Sequence, residues 1–281
     1  MPFDVAWVSS YFPELSLVEL IGAGGQKIVF KAQHPTDGWV VLKIIDQRQD
    51  PVETEREILA VSTINSPRVP SIHEHDTVTT PLGHSVWIRE HYVSGTTVAD
   101  VINGAPLTLD ECLRMMRHLL EALKGAESAN IVHRDVKPAN IVRDLNGDFW
   151  LLDFGIARHL SLASITATAS IFGKLTLGYA PPEQMRNNKP FIDVRSDLFA
   201  LGITVVECIT GEHPFWVPAP ASNLEVVKRV ETQAVVLDFG PSPKAKAFEQ
   251  LISTCIQKRR DLRPRCVDDA LAWLDSVEAT V

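Results

Sequence analysis

Hydrophobic patterning changes type part-way along the chain, and this change limits the possible folds more than any other feature. Before residue 91, apolar residues form short runs rich in β-branched side chains around glycine turns, as at 17–33 and 39–45, which is typical of strands and hairpins. From residue 108 onward, apolar residues recur every three or four positions, which is typical of amphipathic helices. A small strand-rich part followed by a larger helical part predicts a two-lobed α+β architecture.

The individual elements follow from the same patterns and from signals at their ends. These patterns predict a hairpin at 17–33, strands at 39–45 and 85–90, and turns at 73–75 and 92–97. They predict helices at 50–65, 108–126, 197–209, 222–231, 243–257 and 266–278. Thr108 and Glu111 predict a capping box at one helix start, and Gly211 marks the end of another helix. The apolar run 197–211 is interrupted by Glu207 and is short for a bilayer, so a buried helix is predicted there.

Composition and charge narrow the functional classes. The chain has 281 residues and a formal net charge of −8, which argues against nonspecific binding of nucleic acid, since that relies on cationic surface. The N-terminal residues lack a basic segment and a long apolar stretch, so no signal peptide is predicted. The four cysteines form no CxxC pair, which predicts reduced, buried thiols in a cytoplasmic protein. No membrane partner is expected.

Two polar stretches, HRDVKPAN at 133–140 and LLDFG at 151–155, gather carboxylates, an amide and an ammonium. A carboxylate such as Asp135 beside a hydroxyl substrate can accept its proton and orient it. Asn140 and Asp153 offer hard oxygen ligands suited to Mg²⁺ that bridges phosphates. Lys137 can neutralise charge on a transferring phosphoryl group. Together these side chains predict a site that handles a metal and a polyanion.

The strand-rich part adds a glycine turn and a lysine. Residues 22–25 read GAGG and lack side chains that would keep a phosphate from the backbone, although glycine-rich hairpins are more often plain turns. Lys43 lies inside an apolar strand, where its ammonium needs an anion unless it points outward from an edge strand. Glu57 shares the inward helix face with Val61 and Ile64, so it is the predicted partner of Lys43.

These segments together resemble the eukaryotic-type (Hanks-type) serine/threonine protein kinases. The resemblance runs from about residue 17 to about 275 and includes GAGGQKIVF, VLK, EREI, HRDVKPAN, DFG, YAPPE, SDLFALG and RRDLRP. It implies a single kinase domain over 1–281, with a β-rich N-terminal lobe at about 14–93 and a helical C-terminal lobe at about 94–276. The architecture and the Gly-Gly-Gln loop favour a bacterial, stand-alone catalytic domain.

The resemblance implies a role for each residue of the site. Asp135 would orient the substrate hydroxyl and accept its proton, and Lys137 would contact the γ-phosphate of ATP. Asn140 and Asp153 would hold Mg²⁺. Lys43, paired with Glu57, would contact the α- and β-phosphates. The other nucleotide contacts would come from the glycine loop, from valines around the adenine, from a gatekeeper and from the backbone after it: Gly22, Gly24, Gly25, Val29, Val41, Val142, Glu90 as gatekeeper, His91 and Val93.

Other matched positions imply structural roles. Glu183 and Arg263 would form a buried ion pair that anchors the activation segment. Asp197 would brace the backbone of 133–140 from the buried helix. His133 and Phe154 would stack in the hydrophobic spine between the lobes.

Substrate preference is also implied by the resemblance. Lys137 and Thr176 favour serine and threonine over tyrosine as acceptors. Ala139 stands where many kinases of basic substrates carry glutamate, so no strong arginine preference is expected at the nearby upstream position. Lys27 occupies the third glycine position of the loop and is expected to point to water.

Regulation is expected from phosphorylation or from a partner protein. Kinases with an arginine at the position of Arg134 often need a phosphate in the activation segment, and Arg158 is a second possible ligand for it. The candidate acceptors are Ser161, Ser164, Thr166, Thr168 and Ser170; the alternative is a solvated polar loop. Because the segments outside the kinase motifs are short, we expect no sensor domain or membrane anchor in this sequence.

Two other functions stay open at this point. One is a pseudokinase that binds ATP as a scaffold, against which the complete set of Lys43, Asp135, Asn140 and Asp153 argues. The other is a phosphotransferase that acts on a small molecule, against which the YAPPE segment and the HRDVKP loop argue.

Overall fold

The computed structural model describes residues 3–24, 27–46, 58–80, 83–154, 177–216 and 223–281. They form two compact units. The N-terminal unit runs to residue 63 and from 70 to 94, and the C-terminal unit comprises 64–69 and the described chain from 95 onward. The first is built on an antiparallel sheet and the second is mainly helical, so the predicted α+β class, with a β-rich part before a larger helical part, is confirmed.

Five antiparallel strands, one helix before them and helical residues at 58–62 make up most of the described N-terminal unit; residues 58–62 are the described part of the helix predicted at 50–65. The strands are β1 (Ser16–Ala23), β2 (Lys27–His34), β3 (Gly38–Asp46), β4 (Ile72–Thr80) and β5 (Gly83–His91), in the spatial order β1-β2-β3-β5-β4, and helix α1 (Val5–Tyr11) precedes them. The predicted hairpin and strands are confirmed. The turn expected at 73–75 is wrong, because these residues pair with β5 as part of β4. Their polar side chains are tolerated there since β4 is an edge strand.

Side chains alternate between the two faces of this sheet. One face packs against α1 and the chain after it, in a cluster that contains Val8, Phe12, Leu15, Phe30, Ala32, Val40, Leu42, Ile44 and Trp87. The other face carries a smaller cluster of Ile45, Ile58, Val86 and Ile88. Lys43 is two residues from Ile45, so it lies on the face of the smaller cluster.

Helices and a small sheet form the C-terminal unit. The three strands β6 (Gly95–Thr97), β7 (Ile141–Asp144) and β8 (Phe149–Leu151) pair in the order β6-β7-β8. The helices are α2 (Val98–Gly104), α3 (Leu109–Ser128), α4 (Pro182–Met185), α5 (Val194–Thr210), α6 (Asn223–Thr232), α7 (Pro243–Cys255) and α8 (Val267–Glu278), with 3₁₀ turns at Pro138–Asn140, Lys189–Phe191 and Arg260–Leu262.

Two helix ends were predicted from residue type and are confirmed. Thr108 and Glu111 form the capping box at the start of α3: the Thr108 hydroxyl accepts from Glu111 N–H at 3.3 Å, and Glu111 Oε2 accepts from Thr108 N–H at 2.9 Å. Helix α5 ends at Gly211, whose φ of +77° is the left-handed conformation that glycine adopts without strain.

Helix α5 is the centre of the C-terminal core. It is buried along most of its length and contacts both α3 and α7. A Cβ atom at Gly202 would lie 2.6 Å from a methyl carbon of Ile256, so glycine at this position allows the close approach of the chain that follows α7. Within the described ranges, none of the helices has the length and apolar character needed to cross a bilayer.

Candidate active site

The glycine turn of the N-terminal unit joins β1 to β2. Gly22 lies opposite Val29, and Gly24 N–H donates to Lys27 O at 2.9 Å. A Cβ at Gly22 would lie 3.6 Å from Val29, and one at Gly24 would lie 3.9 Å from Lys27 O, which are ordinary van der Waals distances. Local packing therefore does not require glycine at either position, and the missing side chains suit a turn that another molecule approaches.

Lys43 lies on β3, the central strand of the five, between Val29 on β2 and Ile88 on β5. It is only 8% exposed, so the alternative of an outward-pointing lysine on an edge strand is wrong. Its Nζ lies 2.5 Å from Oε1 of Glu90, whose side chain is 12% exposed. Glu90 stands directly opposite Val41. The sheet therefore brings Val29, Val41, Lys43 and Glu90 onto one face.

The end of β5 carries the predicted adenine-binding backbone. His91 N–H donates to Ser71 O at 2.9 Å, so any nucleotide contact of this backbone unit would have to use its carbonyl. Tyr92 N–H donates to Trp39 O at 3.1 Å, and Val93 is buried. These contacts fix the course of the chain as it leaves the sheet.

In the C-terminal unit, the loop between α3 and β7 holds three predicted catalytic residues together. Lys137 Nζ lies 2.9 Å from Asp135 Oδ2. Asn140 Nδ2 donates to the same oxygen at 3.0 Å and to the backbone carbonyl of Asp135 at 2.8 Å. The 3₁₀ turn at Pro138–Asn140, closed by Asn140 N–H to Lys137 O at 2.9 Å, brings the amide back towards Asp135. The carboxylate is thus oriented by one ammonium and one amide.

Asp197 on α5 braces this loop, as the resemblance implied. Its carboxylate accepts from His133 N–H and from Arg134 N–H, each at 2.7 Å. Arg134 has a φ of +65°, a conformation that costs free energy and needs such support. Asp197 is fully buried, and burial raises its pKa to about 7 even though the two N–H bonds favour the carboxylate.

His133 ties the loop to the segment that carries Asp153. Its Nδ1 accepts from Asp135 N–H at 3.2 Å, and its Nε2 lies 2.9 Å from Leu152 O, so the ring proton is assigned to Nε2. The ring packs edge-to-face on Phe154, with centroids 4.5 Å apart, which confirms the predicted contact. Asp153 lies between these two anchored residues with a φ of +59°.

The oxygen atoms of Asn140 and Asp153 are of the type that divalent cations such as Mg²⁺ prefer. Leu152 N–H donates to the backbone carbonyl of Asn140 at 2.8 Å. Asp153 is the residue that follows Leu152. The side-chain nitrogen of Asn140 donates hydrogen bonds to Asp135, so the side-chain oxygen of Asn140 is the atom that could bind a cation. One carboxylate and one amide oxygen, completed by phosphates and water, match the way Mg²⁺ is bound beside nucleotides.

Val142, the predicted adenine contact of the C-terminal unit, lies on β7 and is 6% exposed. It pairs with Thr97 on β6 and Trp150 on β8. A Cβ at Gly95 would lie 2.8 Å from a Val142 methyl carbon and 2.2 Å from Arg143 O. Glycine at 95 is therefore required for β6 to reach β7 and for Val142 to be covered.

Sequence reasoning missed two polar contacts around the loop. Gln184 Nε2 on α4 donates to Arg134 O at 2.7 Å. Tyr179 donates its hydroxyl to Glu207 on α5, and burial raises the pKa of both groups. Glu207 was visible as a carboxylate in an apolar helix, which requires a donor, but nothing in the sequence identified Tyr179 as that donor.

Several predicted residues lie outside the described residues: Glu57, Gly25, Thr176, Arg158 and the acceptors Ser161, Ser164, Thr166, Thr168 and Ser170. The pairing of Lys43 with Glu57 therefore stays a prediction. The described partner of Lys43, Glu90, was expected to act only as a gatekeeper beside the adenine.

Comparison with known proteins gives consistent results. The family model of the protein kinase domain matches residues 15–272. The chain is 33% identical over 216 residues to serine/threonine-protein kinase PknB of Mycobacterium tuberculosis, which covers 73% of this chain and 34% of that protein. It is 29% identical over 296 residues to serine/threonine-protein kinase A of Synechocystis sp., which covers 94% of this chain and 53% of that protein.

A third similar protein is the probable serine/threonine-protein kinase PknB of Lactococcus lactis, 31% identical over 207 residues, or 71% of this chain and 32% of that protein. The chain thus spans about a third of the length of the PknB relatives that it matches.

Proposed function

The chain belongs to the protein kinase domain family, and from that premise we propose that it transfers the γ-phosphate of ATP to serine and threonine hydroxyls of proteins, including its own. The proposal includes Mg²⁺ as the metal. The observation that carries it is the contact of Asp135 Oδ2 with both Lys137 Nζ at 2.9 Å and Asn140 Nδ2 at 3.0 Å.

Asp135 would act on the acceptor hydroxyl. As the hydroxyl oxygen bonds to the γ-phosphorus, the bond from that phosphorus to the β–γ bridging oxygen breaks and ADP leaves. The hydroxyl proton passes to the Asp135 carboxylate. Catalysis of this transfer depends mainly on position and charge, which is what the fixed loop around Asp135 provides.

Lys137 and the metal ligands would handle the negative charge. Lys137 lies beside Asp135 and would contact the γ-phosphate as the proton leaves. Asn140 and Asp153 would hold Mg²⁺, which when bound supplies charge neutralisation between the phosphates. The anchoring of both residues through Leu152 supports this assignment.

The N-terminal unit would bind the nucleotide. Lys43 would contact the α- and β-phosphates together with Glu57, and Gly22, Gly24 and Gly25 would form the phosphate loop. Val29 and Val41 of this unit, and Val142 of the C-terminal unit, would contact the adenine, whose edge would hydrogen-bond to the backbone at His91 and Val93. Their common face on the sheet supports Val29, Val41 and Lys43 in these roles.

The substrate class and the setting are also proposals. Lys137, with Thr176, favours serine and threonine acceptors over tyrosine, and the names of the similar proteins agree with that choice. We take residues 1–281 as one kinase domain with lobes at about 14–93 and 94–276, working in the cytoplasm and regulated by a partner protein or by phosphorylation.

Transfer from labelled ATP tests the function. The wild-type protein should label itself or a generic protein substrate when Mg²⁺ is present, and this labelling should stop when the metal is chelated. Asp135→Asn should abolish labelling. Asp268→Asn is the matched control, since Asp268 is 66% exposed and pairs only at the surface with Lys124, and it should leave labelling unchanged.

Intact mass and nucleotide binding complete the test. Incubation with ATP should add phosphates to the wild-type protein and none to Asp135→Asn. A wild-type protein that binds Mg–ATP in calorimetry without transferring phosphate would be a scaffold, and the proposed function would be wrong. Label that appears on a small molecule and never on protein would also contradict it.

A further inference from the structure

The ion pair between Lys43 and Glu90 is the feature of the N-terminal unit that the proposed roles leave unexplained. Nζ and Oε1 are 2.5 Å apart, and the two side chains are 10% and 12% exposed. A carboxylate this buried needs a cation or hydrogen-bond donors close by. The pair is therefore a fixed part of the sheet, unlike the solvated ion pairs at protein surfaces.

Strand register determines which carboxylate reaches Lys43. Directly opposite Lys43 on β5 is Ile88, and Glu90 is two residues further along the same face. Diagonal neighbours in an antiparallel pair lie close enough for long side chains to meet. The neighbours of Lys43 on this face, Ile45 and Ile88, are buried, and Lys43 itself is only 8% exposed.

We propose that Glu90 is a positioning residue for Lys43, holding the ammonium where it meets the phosphates of the nucleotide. This inference rests on the proposed function. An ammonium has three N–H donors, and the contact with Glu90 uses one of them. Because that contact already restricts the rotamer of the lysine, less rotamer freedom is lost when the nucleotide binds.

Substitution at Glu90 separates positioning from simple packing. Glu90→Gln keeps the shape and removes the charge. Glu90→Asp keeps the charge but withdraws it by one methylene. The control is Glu74→Gln, on the neighbouring strand of the same sheet, where Glu74 is 57% exposed and pairs with Arg89 at 2.8 Å. Each variant is assayed for kcat, for the KM of Mg–ATP and for melting temperature.

The expected result is a tenfold loss of kcat for Glu90→Gln, which corresponds to about 1.4 kcal/mol, with a change of less than about threefold in KM. The loss should appear in kcat because orientation of the phosphates matters most in the transition state. Glu90→Asp should lose about threefold, and Glu74→Gln should match the wild-type protein.

Each outcome decides the question. Wild-type kcat in Glu90→Gln would overturn the inference while leaving the proposed function intact. Equal losses in Glu90→Gln and Glu90→Asp, together with lower melting temperatures, would show a purely structural residue and also overturn it. If Glu90→Gln does not fold, the kcat of Glu90→Asp is the test: a loss of about threefold supports the inference, and the wild-type value overturns it. A wild-type protein without transferase activity would overturn the proposed function itself.

Discussion

Arg263 and Glu183 form a two-point ion pair between positions 80 residues apart: Nη1 lies 2.6 Å from Oε1, and Nη2 lies 3.1 Å from Oε2. The Arg263 side chain is 0% exposed. Its other N–H groups donate to the carbonyls of Gln257, Arg195 and Lys258. The pair links the chain after α7 to α4, as the sequence predicted.

Removal of Arg263 should strongly destabilise the protein. Arg263→Ala would leave the buried Glu183 carboxylate with Ser196 as its remaining described donor, at 2.9 Å. Breaking a buried pair in this way costs about 3–5 kcal/mol. Urea denaturation of the wild-type protein and the variant measures this difference in the free energy of unfolding.

Arg259→Ala is the matched control for that experiment. Arg259 pairs with Asp261 at 2.5 Å, but the two side chains are 73% and 61% exposed. Exposed pairs contribute little because water screens them, so the midpoint of unfolding should stay at the wild-type value. Equal effects of the two substitutions would contradict a special role for the buried pair.

Gly178 is predicted to tolerate no side chain. A Cβ there would lie 2.4 Å from Cε1 of His213 and 2.7 Å from its Nε2, and burial lowers the pKa of His213 to about 3, so the ring is neutral and enclosed. Gly178→Ala should lower the free energy of unfolding by about 1–3 kcal/mol through overpacking. Thermal or urea unfolding gives the value.

The control and the rescue for Gly178 use the same assay. Gly104→Ala should be neutral or slightly stabilising, since no atom lies within 4 Å of a Cβ at the end of α2. If the clash with His213 is the cause, adding His213→Ala to Gly178→Ala should cost less than the sum of the two single substitutions. Strict additivity would show that the cause lies elsewhere.

Short-range features of this protein could be predicted from its sequence, because the residues that make them are close along the chain. The Thr108–Glu111 box spans three positions, and Gly211 ends α5 through its own φ. The contacts of Asp135 with Lys137 and Asn140 span two and five positions. In such cases spacing and local backbone preference determine the geometry.

Contacts that depend on register or on distant packing could not be predicted. Lys43 meets Glu90 only because β3 and β5 pair with Ile88 opposite Lys43, and a shift of one residue would move Glu90 to the other face. Tyr179 donates a hydrogen bond to Glu207, 28 positions away, because of how α5 packs. The strand at 73–75 was missed because the polar residues of an edge strand lack the expected alternation.

The capping box of α3 should contribute measurably to stability. Thr108→Ala removes the hydroxyl that accepts from Glu111 N–H, while the hydrogen bond from its own N–H to Glu111 can persist. Loss of an N-cap side chain typically costs about 1 kcal/mol. Thr232→Ala is the control, since that hydroxyl donates to Lys228 O within its own helix α6, and it should change stability less. Equal values in urea denaturation would contradict a contribution from the cap.

Asp193 should make stability depend on acid pH. Burial raises its pKa, but hydrogen bonds from Arg260 and Arg195 outweigh burial and hold the pKa below its ordinary value. Because the folded pKa lies below the unfolded value of about 3.9, the stabilisation is present above that pH and is lost as pH falls through the folded pKa.

Asp193→Asn isolates this charge, since the amide oxygen of asparagine can still accept from Arg195 N–H and cap α5. The partly exposed pair should give a difference of about 1 kcal/mol between wild-type and variant. That difference should be constant from pH 5 to 8 and should shrink below about pH 4, as measured by urea denaturation at each pH. A difference that grows with acidity would show that the carboxylate is not stabilised in its charged form.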